Sequence, residues 1–361
     1  MVDFRRSLPP RVMGMQQQMP QGLHSLANAP GLEILMHESR ARAEPRERLA
    51  AARFLAPRLG AEASPERVIV TNGTQSALIL LLREIVGASG VLLAENLTYA
   101  ALRPLARECA IRLEGVAIDE EGLLPDAFER ACRTLKPRAL YCNPTLHNPT
   151  TAIMSLARRW EIVEIARRHG VALIEDEALG RLYPDAPQPL ATLAPEICWY
   201  LMSTTKCMSH GLRVAYLVAP SGESAQALLE TAAQLSFWVP MPLGLALTTA
   251  WIESGIADHI TAEIATECGE RQRIASEILA DFDMRAPPSA MHIWLTLPAG
   301  VRANPFVEDA QKAGVLLRPA SRFSVNNDPV PECIRLSLST PSSLAEVREG
   351  LHALRDLIAR R

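Results

Sequence analysis

Apolar and polar positions follow two different periods along this chain. Short apolar runs bounded by turn residues predict buried strands, whereas apolar residues spaced three and four apart predict helices. The predicted strands lie at 67–71, 90–95, 138–142, 171–174, 199–203, 213–219, 292–297, 315–318 and 333–338. The predicted helices begin near residues 46 and 100 or lie at 75–84, 155–169, within 243–282, at 305–313 and at 343–360. Ser155 is the expected N-cap of one helix, and Ser342 or Ser343 that of the last.

The order of these elements predicts the fold class. Strands that alternate with helices are typical of an α/β domain with a mainly parallel sheet. The last third of the chain predicts a smaller α+β domain. Residues 1–40 show no sustained periodicity and hold four prolines, so we expect an extended arm with short turns. The predicted division is therefore an arm at 1–45, a large domain at 46–245 and a small domain at 246–361.

One charge-free stretch, residues 231–252, is long enough to cross a bilayer. It contains Pro240 and Pro242, which interrupt a helix, and Gln234 and Ser236, which lipid would leave without hydrogen-bond partners. The stretch therefore predicts a buried loop followed by a helix, and we expect no membrane association.

The composition excludes several classes of protein. A length of 361 residues predicts two domains, and a balance of 37 basic against 40 acidic residues excludes a generally cationic nucleic-acid binder. The seven cysteines are scattered and form no C-x-x-C pair, which indicates a reducing, cytoplasmic setting and no zinc site. Arg5 and Arg6 are not followed by an apolar core, so we expect no signal peptide.

Polar groups follow most of the predicted parallel strands, where open α/β sheets bind their ligands. Gly73 and Thr74 stand at a helix start, where backbone N–H groups attract an anion. Ser203, Thr205 and Arg213 add two hydroxyls and a planar cation, which suit a phosphate group. These five residues together predict a phosphate site.

Three further residue types suit an aromatic aldehyde that carries such a phosphate. Only three of the 37 basic residues are lysines, Lys136, Lys206 and Lys312, and only Lys206 lies beside the predicted phosphate site. Its amine is suited to a Schiff base. Asp176 is suited to hold a protonated ring nitrogen, and Tyr99 is suited to stack on an aromatic ring. A phosphorylated pyridine aldehyde uses all of these groups.

At these residues the sequence resembles a known family. It is similar to the fold-type I pyridoxal-phosphate enzymes, the aspartate aminotransferase superfamily, and within it to the aminotransferase-like part of MocR regulators and their enzyme relatives. The resemblance runs from about Arg46 to the C-terminus. It is carried, in the family's order, by HNPT at 147–150, IED at 174–176, STTK-x₆-R at 203–213, the overlapping GLRVAYLVAP from 211 and IRLSLS at 334–339.

The resemblance implies a role for each matching residue. Lys206 would form the Schiff base and then move a proton, and Asp176 would keep the ring nitrogen protonated. Asn148 would hydrogen-bond the ring's phenolic oxygen beside the substrate, Tyr99 would stack on the ring, and Arg335 would bind the substrate α-carboxylate. The residues implied in phosphate binding are Gly73, Thr74, Gln75, Ser203, Thr205 and Arg213.

The implied activity is transfer of an amino group from an α-amino acid to a 2-oxo acid by a cytoplasmic homodimer. Elimination, decarboxylation or racemisation on the same cofactor is an alternative. A MocR-like sensor of an amino compound is another, although a resemblance that begins near residue 46 leaves no room for a winged helix. Ser203-x-x-Lys206 also matches a serine hydrolase motif, but no K-T-G accompanies it. No G-x-G-x-x-G follows a strand, which excludes a Rossmann dehydrogenase.

The sequence also departs from the family's pattern. The usual tyrosine two or three residues after the aspartate is replaced by Ala178 and Leu179, with Tyr183 further on. Thr151 stands where a glycine is usual, and Leu35–Glu44 replaces a Tyr…Gly pair whose tyrosine normally reaches the partner subunit's phosphate.

The surroundings of the predicted site give further expectations. Trp238, Arg322 and the N-terminal arm are candidates for the substrate pocket. His147 is expected to be structural, and Glu175 and Glu177 to orient neighbours or face solvent rather than do acid–base work.

Overall fold

The computed structural model describes residues 1–37, 40, 42–233, 235, 238–326 and 329–361. The helices are α1 (Met13–Ala27), α2 (Leu32–His37), α3 (Pro45–Leu59), α4 (Gly73–Leu81), α5 (Leu102–Glu108), α6 (Pro125–Leu135), α7 (Leu156–His169), α8 (Leu190–Leu193), α9 (Thr204–Cys207), α10 (Gly222–Ala232), α11 (Pro242–Glu253), α12 (Ile256–Ile278), α13 (Ala303–Lys312) and α14 (Leu344–Ile358). The strands are β1 (Val2–Asp3), β2 (Val68–Thr71), β3 (Val91–Glu95), β4 (Arg112–Val116), β5 (Ile118–Asp119), β6 (Gly122–Leu123), β7 (Ala139–Cys142), β8 (Ala172–Asp176), β9 (Cys198–Ser203), β10 (Ala215–Val218), β11 (Met284–Arg285), β12 (His292–Thr296), β13 (Val315–Leu316), β14 (Arg318–Pro319) and β15 (Cys333–Ser337).

A seven-stranded sheet forms the centre of the fold, in the order β2-β10-β9-β8-β7-β3-β4. Its strands from β9 to β4 pair in parallel, and β10 runs antiparallel between β9 and β2. The predicted α/β class with a mainly parallel sheet is confirmed. Sequence analysis did not assign β4, whose residues 112–115 are exposed or half-buried at the sheet edge and lack a continuous apolar run.

The central strands are buried on both faces, which explains their unbroken apolar runs. In β2, Val68 and Val70 pack into one hydrophobic cluster, whereas Ile69 packs into the cluster on the opposite face. Helices cover both clusters. Because β3, β7, β8 and β9 pair in parallel, their carboxyl ends lie at the same edge of the sheet.

A second, four-stranded sheet lies in the C-terminal part of the chain, in the order β11-β12-β15-β14. Its neighbours pair antiparallel, and Arg335 of β15 lies opposite both Trp294 of β12 and Arg318 of β14. The first residues of the chain join this region, because β1 pairs in parallel with β13 and Phe4 is fully buried in the same cluster. The smaller α+β part is confirmed, while the exact division at residues 45 and 245 remains a prediction.

The expectation of an extended N-terminal arm is wrong for residues 13–27 and 32–37, which form α1 and α2. Met15, Met19 and Leu26 of α1 pack on the main core at helical spacing. Gly22 completes this face, where a Cβ atom would overlap the Leu247 side chain of α11. The apolar pattern of α1 is hidden in the sequence because one of its contact positions is a glycine and α1 also contains Pro20.

The charge-free stretch does not form a transmembrane helix in the part of the chain that the structure describes. Its second half is α11, and Trp238 of the preceding loop is buried with its indole N–H donating to the Ala232 carbonyl at 2.7 Å. Gln234 and Ser236 lie outside the described residues. None of the described helices combines the length and the apolarity that crossing a bilayer needs.

The substitution Gly350→Ala tests how tightly the N-terminal strand is packed. A Cβ at Gly350 of α14 would lie 2.6 Å from the Phe4 ring, so the strand must shift, at a cost of about 1–3 kcal/mol. Gly269→Ala in α12 is the matched control, because its Cβ would meet nothing nearer than 3.8 Å and would gain up to about 1 kcal/mol of helix propensity. We expect chemical denaturation to rank Gly350→Ala below Gly269→Ala. Equal free energies of unfolding would contradict this packing.

Candidate active site

The polar residues that follow separate strands converge on one cavity of about 440 Å³. The cavity wall contains most of the residues predicted from sequence, namely Thr74, Gln75, Tyr99, Asn148, Asp176, Thr205, Lys206, Arg213 and Arg335. Gly73 adjoins Thr74 and contacts Arg213, and Ser203 adjoins the wall through Thr205. The structure thus brings together all eleven predicted residues, from positions more than 250 residues apart.

Lys206 lies on the short helix α9, directly after strand β9. Ser203 caps this helix by accepting a hydrogen bond from the Thr205 backbone N–H at 3.0 Å. The Lys206 ammonium lies at the cavity and donates to the Ser7 carbonyl oxygen. Burial lowers the pKa of Lys206 to about 8, and the positive charge of Arg335 adds to this shift. Lys206 is therefore far closer to a neutral, nucleophilic amine at neutral pH than an exposed lysine.

Asp176 ends strand β8 and lines the same cavity. Its carboxylate accepts hydrogen bonds from the Tyr141 hydroxyl at 2.8 Å and from the Ala178 backbone N–H at 3.2 Å. Burial raises the pKa of Asp176 to about 6, against the lowering effect of the Tyr141 hydrogen bond and of the Lys206 charge. Asn143 fixes the strand end by donating to the Asp176 carbonyl oxygen at 2.7 Å. The site thus holds an oriented carboxylate that a cationic ligand group would stabilise.

The anion end of the cavity is built from Gly73 and Arg213. Both residues have positive φ angles, +75° at Gly73 and +57° at Arg213. A Cβ on Gly73 would lie 3.0 Å from the Arg213 Nη2 atom, so only glycine lets the guanidinium lie against the start of α4. The backbone N–H groups of this helix start and the Arg213 guanidinium lie together, which suits a phosphate group.

The opposite end of the cavity is formed by Arg335 of β15. Its Nη1 atom donates to the Asn148 side-chain oxygen at 2.8 Å, and its Nη2 atom donates to the Arg5 carbonyl oxygen at 2.6 Å. The guanidinium carbon lies 4.8 Å from the centroid of the Phe323 ring. Its buried Nε has no hydrogen-bond partner among the described residues. Burial, with the charge of Arg318, lowers the pKa of Arg335 to about 9.

Tyr99 and Gln75 form a pair on the cavity wall. The Gln75 side-chain amide donates to the Tyr99 hydroxyl at 2.9 Å. Burial raises the pKa of Tyr99, so its hydroxyl stays protonated at neutral pH. The ring is partly buried and packed against the core, and its role in stacking stays a prediction.

The pocket-lining candidates divide into one confirmed and two corrected. The N-terminal segment does line the cavity, through Arg5, Arg6, Ser7 and Leu8. Trp238 does not, because it lies off the cavity wall and is buried in a hydrophobic cluster of the core. Arg322 is exposed and lies off the cavity wall, which instead takes Arg318 and Phe323 from the same segment.

The two carboxylates that flank Asp176 are buried rather than solvated. Glu177 accepts hydrogen bonds from Arg58 at 2.5 and 3.1 Å and from the Tyr200 hydroxyl at 2.5 Å. Glu175 accepts from the backbone N–H groups of 190 and 191, both at 2.9 Å. Glu175 and Glu177 thus orient neighbouring elements, which is one of the two expected roles, and neither faces solvent. Burial raises the pKa of Glu175 to about 7, with the charge of Glu177 adding to the shift.

Three supporting residues were not recognised from the sequence. Tyr141 and Asn143 hold Asp176, and Arg58 of α3 holds Glu177. The only signal was the position of Tyr141 and Asn143 near the carboxyl end of a predicted strand. His147 is buried, with Nδ1 2.7 Å from the Thr150 hydroxyl, in keeping with a structural role.

The geometry fits a phosphorylated pyridine aldehyde. The backbone N–H groups at the start of α4 and the adjoining Arg213 guanidinium suit the phosphate, and the buried carboxylate of Asp176 suits a protonated ring nitrogen. The amine of Lys206 suits reaction with the aldehyde carbon. The left-handed backbone at Arg213 and a buried carboxylate with a raised pKa are features that a protein retains where they serve a ligand.

Comparison with known proteins agrees with this geometry. Residues 17–354 match the model of the family described as aminotransferase class I and II. The chain belongs to this family. Its cofactor is pyridoxal phosphate, which when bound supplies an aldehyde that reacts with amines and a ring that accepts electrons from the substrate α-carbon.

Individual relatives of this family member include both enzymes and regulators. It is 30% identical over 308 residues to the 2-aminoadipate transaminase of Thermus thermophilus, and the match spans 82% of this chain and 77% of that protein. It is 27% identical over 304 residues to the HTH-type transcriptional regulator YdeF of Bacillus subtilis. That match spans 84% of this chain but only 65% of YdeF.

A solved structure shows the same architecture. The α-aminoadipate aminotransferase LysN of Thermus thermophilus, complexed with N-(5'-phosphopyridoxyl)-L-leucine, superposes with a TM-score of 0.88 at 25% identity. The superposition covers 100% of this chain and 92% of LysN.

The substitution Gly73→Ala tests the phosphate cradle. The new methyl group would push the Arg213 guanidinium away, so we expect the dissociation constant of pyridoxal phosphate to rise about tenfold or more, as loss of one charged hydrogen bond implies. Gly60→Ala is the matched control, because it has the same φ of +75° with nothing within 4 Å of its Cβ. Both variants carry similar backbone strain. Equal weakening of cofactor binding in the two would remove Arg213 from the cradle.

The lowered pKa of Lys206 predicts a pH dependence for cofactor uptake. Because only the neutral amine attacks an aldehyde, the rate at which cofactor-free protein takes up pyridoxal phosphate should rise up to about pH 8 and then level off. An ordinary lysine would instead give a rise that continues to about pH 10. Stopped-flow absorbance across this range measures the rate. A rise that continues well past pH 8, up to about pH 10, would contradict the burial argument.

Proposed function

We propose that this protein is an aminotransferase that moves an amino group from an α-amino acid to a 2-oxo acid through a Schiff base on Lys206. The observation that carries the proposal is the placement of one buried lysine amine between an oriented carboxylate, an anion cradle and a buried arginine. Each group matches one part of a cofactor–amino acid pair. The family relation supports the same reaction class.

The chain's own residues divide the work of the reaction. Lys206 would hold the cofactor through its amine, and as a general base and acid the same amine would take and return the proton of the substrate α-carbon. Asp176 keeps the ring nitrogen protonated, and Tyr141 and Asn143 keep Asp176 in place. Arg335 would bind the substrate α-carboxylate beside Asn148, to which it donates a hydrogen bond. Asn148 would hydrogen-bond the ring's phenolic oxygen, and Tyr99 would stack on the ring.

The proposal also includes a cytoplasmic location and a homodimer. All seven cysteines are free, which is typical of a cytoplasmic protein. The N-terminal segment closes one side of the cavity, and the open side suits a partner subunit, so we propose a homodimer. The relatives' names include 2-aminoadipate and aromatic amino acids as substrates of those proteins, so likeness alone leaves the side chain open.

A second candidate is a sensor domain that binds an amino compound without completing transamination. The relation to the regulator YdeF, of which this chain spans 65%, favours it. The cavity wall favours it as well, because Ala178 and Leu179 place no hydroxyl where the superfamily has a tyrosine. The two candidates differ in whether a half-reaction goes to completion.

The visible absorption spectrum of the purified holoprotein distinguishes these functions. For an aminotransferase, adding the correct amino acid should convert the yellow cofactor band to that of the amine form, and a 2-oxo acid should restore it. We expect Lys206→Ala to lose the lysine-linked band and at least about 10³-fold in turnover, because the removed amine is both the link to the cofactor and the general base. Lys312→Ala is the control, since its ammonium is exposed and pairs with Asp309 at 2.9 Å.

Other outcomes separate the alternatives. A band that shifts with an amino acid but never completes the half-reaction would favour the sensor, and release of ammonia or carbon dioxide would favour a lyase or decarboxylase. Full turnover by Lys206→Ala would remove Lys206 from the chemistry.

A further inference from the structure

Positive charge exceeds negative charge along the cavity wall. Among the described residues, Asp176 is the one carboxylate of the wall, and six cationic side chains accompany it, Arg5, Arg6, Lys206, Arg213, Arg318 and Arg335. The proposed function employs Lys206, Arg213 and Arg335. Three arginines therefore remain without a role.

Arg318 is the one of these three whose charge is buried in part and unpaired. Arg5 is neutralised by Asp3, with Nε–Oδ1 and Nη2–Oδ2 distances of 3.0 and 3.1 Å. Arg6 is exposed at the rim of the cavity. Arg318 is half-buried, and its guanidinium donates from Nε to the Arg5 carbonyl oxygen at 2.9 Å. No carboxylate of the described residues forms an ion pair with Arg318, although the residue lines the cavity.

The strand register places Arg318 beside Arg335. The two residues are directly opposed in the antiparallel pair β14–β15, so their side chains lie on the same face of the sheet. Both donate to the same Arg5 carbonyl oxygen. Like charges opposed across a strand pair destabilise a fold, and burial removes the solvent that would screen them. Such a pair is stabilised when two anionic groups bind side by side.

We propose that Arg318 binds a second carboxylate of the substrate, so that the cavity selects dicarboxylic amino acids. This inference rests on the proposed function, in which Arg335 takes the α-carboxylate. The Cβ atoms of directly opposed residues lie about 5 Å apart, which suits two carboxylates joined by roughly two to four carbon atoms. Arg6 adds positive charge at the rim, where it attracts the anion without a fixed contact.

The experiment compares dicarboxylic amino acids with their neutral counterparts on the holoprotein. Single-turnover absorbance measures kcat/KM for glutamate against glutamine and for 2-aminoadipate against norleucine. We expect the wild type to favour the dicarboxylate by about 10- to 100-fold, the effect of one charged hydrogen-bonded pair. Arg318→Gln should abolish most of this ratio. Arg318→Lys should retain part of it, because it keeps the charge but not the two-pronged geometry.

Arg322→Gln is the matched control. It makes the same change of charge four residues along the chain, on an exposed side chain that lies off the cavity wall. It should leave the ratio intact. The melting temperature of Arg318→Gln should equal or exceed that of the wild type, since removal of one of two opposed cations relieves repulsion. A folded variant with an unchanged ratio would overturn the proposal.

A binding measurement separates this inference from the proposed function. Calorimetry of the holoprotein with glutarate and with its monoamide requires no turnover. If no amino acid is turned over but glutarate binds better than the monoamide only when Arg318 is present, the aminotransferase proposal fails and the second carboxylate site stands. If Arg318→Gln weakens both ligands equally, Arg318 serves the shared carboxylate and the selectivity proposal fails. Equal binding of both ligands to the wild type also overturns it.

Discussion

The burial of charge at one edge of the parallel sheet is the constraint on which the rest of this structure depends. Asp176, Lys206 and Arg335 are removed from bulk water. Burial therefore raises the pKa of Asp176 and lowers those of Lys206 and Arg335, and each shift favours the neutral form. Burial of an ionised group costs several kcal/mol unless partners compensate for the lost solvent. The partners come from distant parts of the chain, among them Tyr141 and the Arg5 carbonyl oxygen.

A buried ion pair next to Asp176 supports this edge of the sheet. The Arg58 and Glu177 side chains are 5% and 0% exposed, and they meet at 2.5 Å. Glu177 follows Asp176 in the chain, so the pair ties the end of β8 to helix α3. Loss of one partner from such a pair costs about 3–5 kcal/mol, because the other charge is left buried alone. The Arg58–Glu177 pair thus fixes the position of Asp176 and takes no part in its reactivity.

Much of the fold could be predicted from the sequence. The apolar runs of the central strands located β2, β3, β7, β8, β9 and β10 because those strands are buried on both faces. The Ser155 cap was also predicted, and of the two candidates Ser342 and Ser343 the second caps the last helix; both caps accept the expected backbone hydrogen bond. Prediction failed for α1 because Gly22 takes one of its contact positions with α11 and Pro20 lies inside the helix, which interrupt its apolar pattern. The edge strand β4 was missed because most of its positions are exposed or half-buried and so carry no continuous apolar run.

The sequence by itself determined which chemical groups the candidate site offers, because Lys206 is the one of three lysines beside the predicted phosphate site and polar groups follow most of the strands. Only the tertiary structure decided which neighbours surround that chemistry. It brought Ser7 to Lys206 and Arg5 to Arg335, which are 199 and 330 residues apart in the chain, and it chose Arg318 over Arg322 for the cavity wall. Strand register and close packing make these choices, and neither leaves a local signal in the sequence.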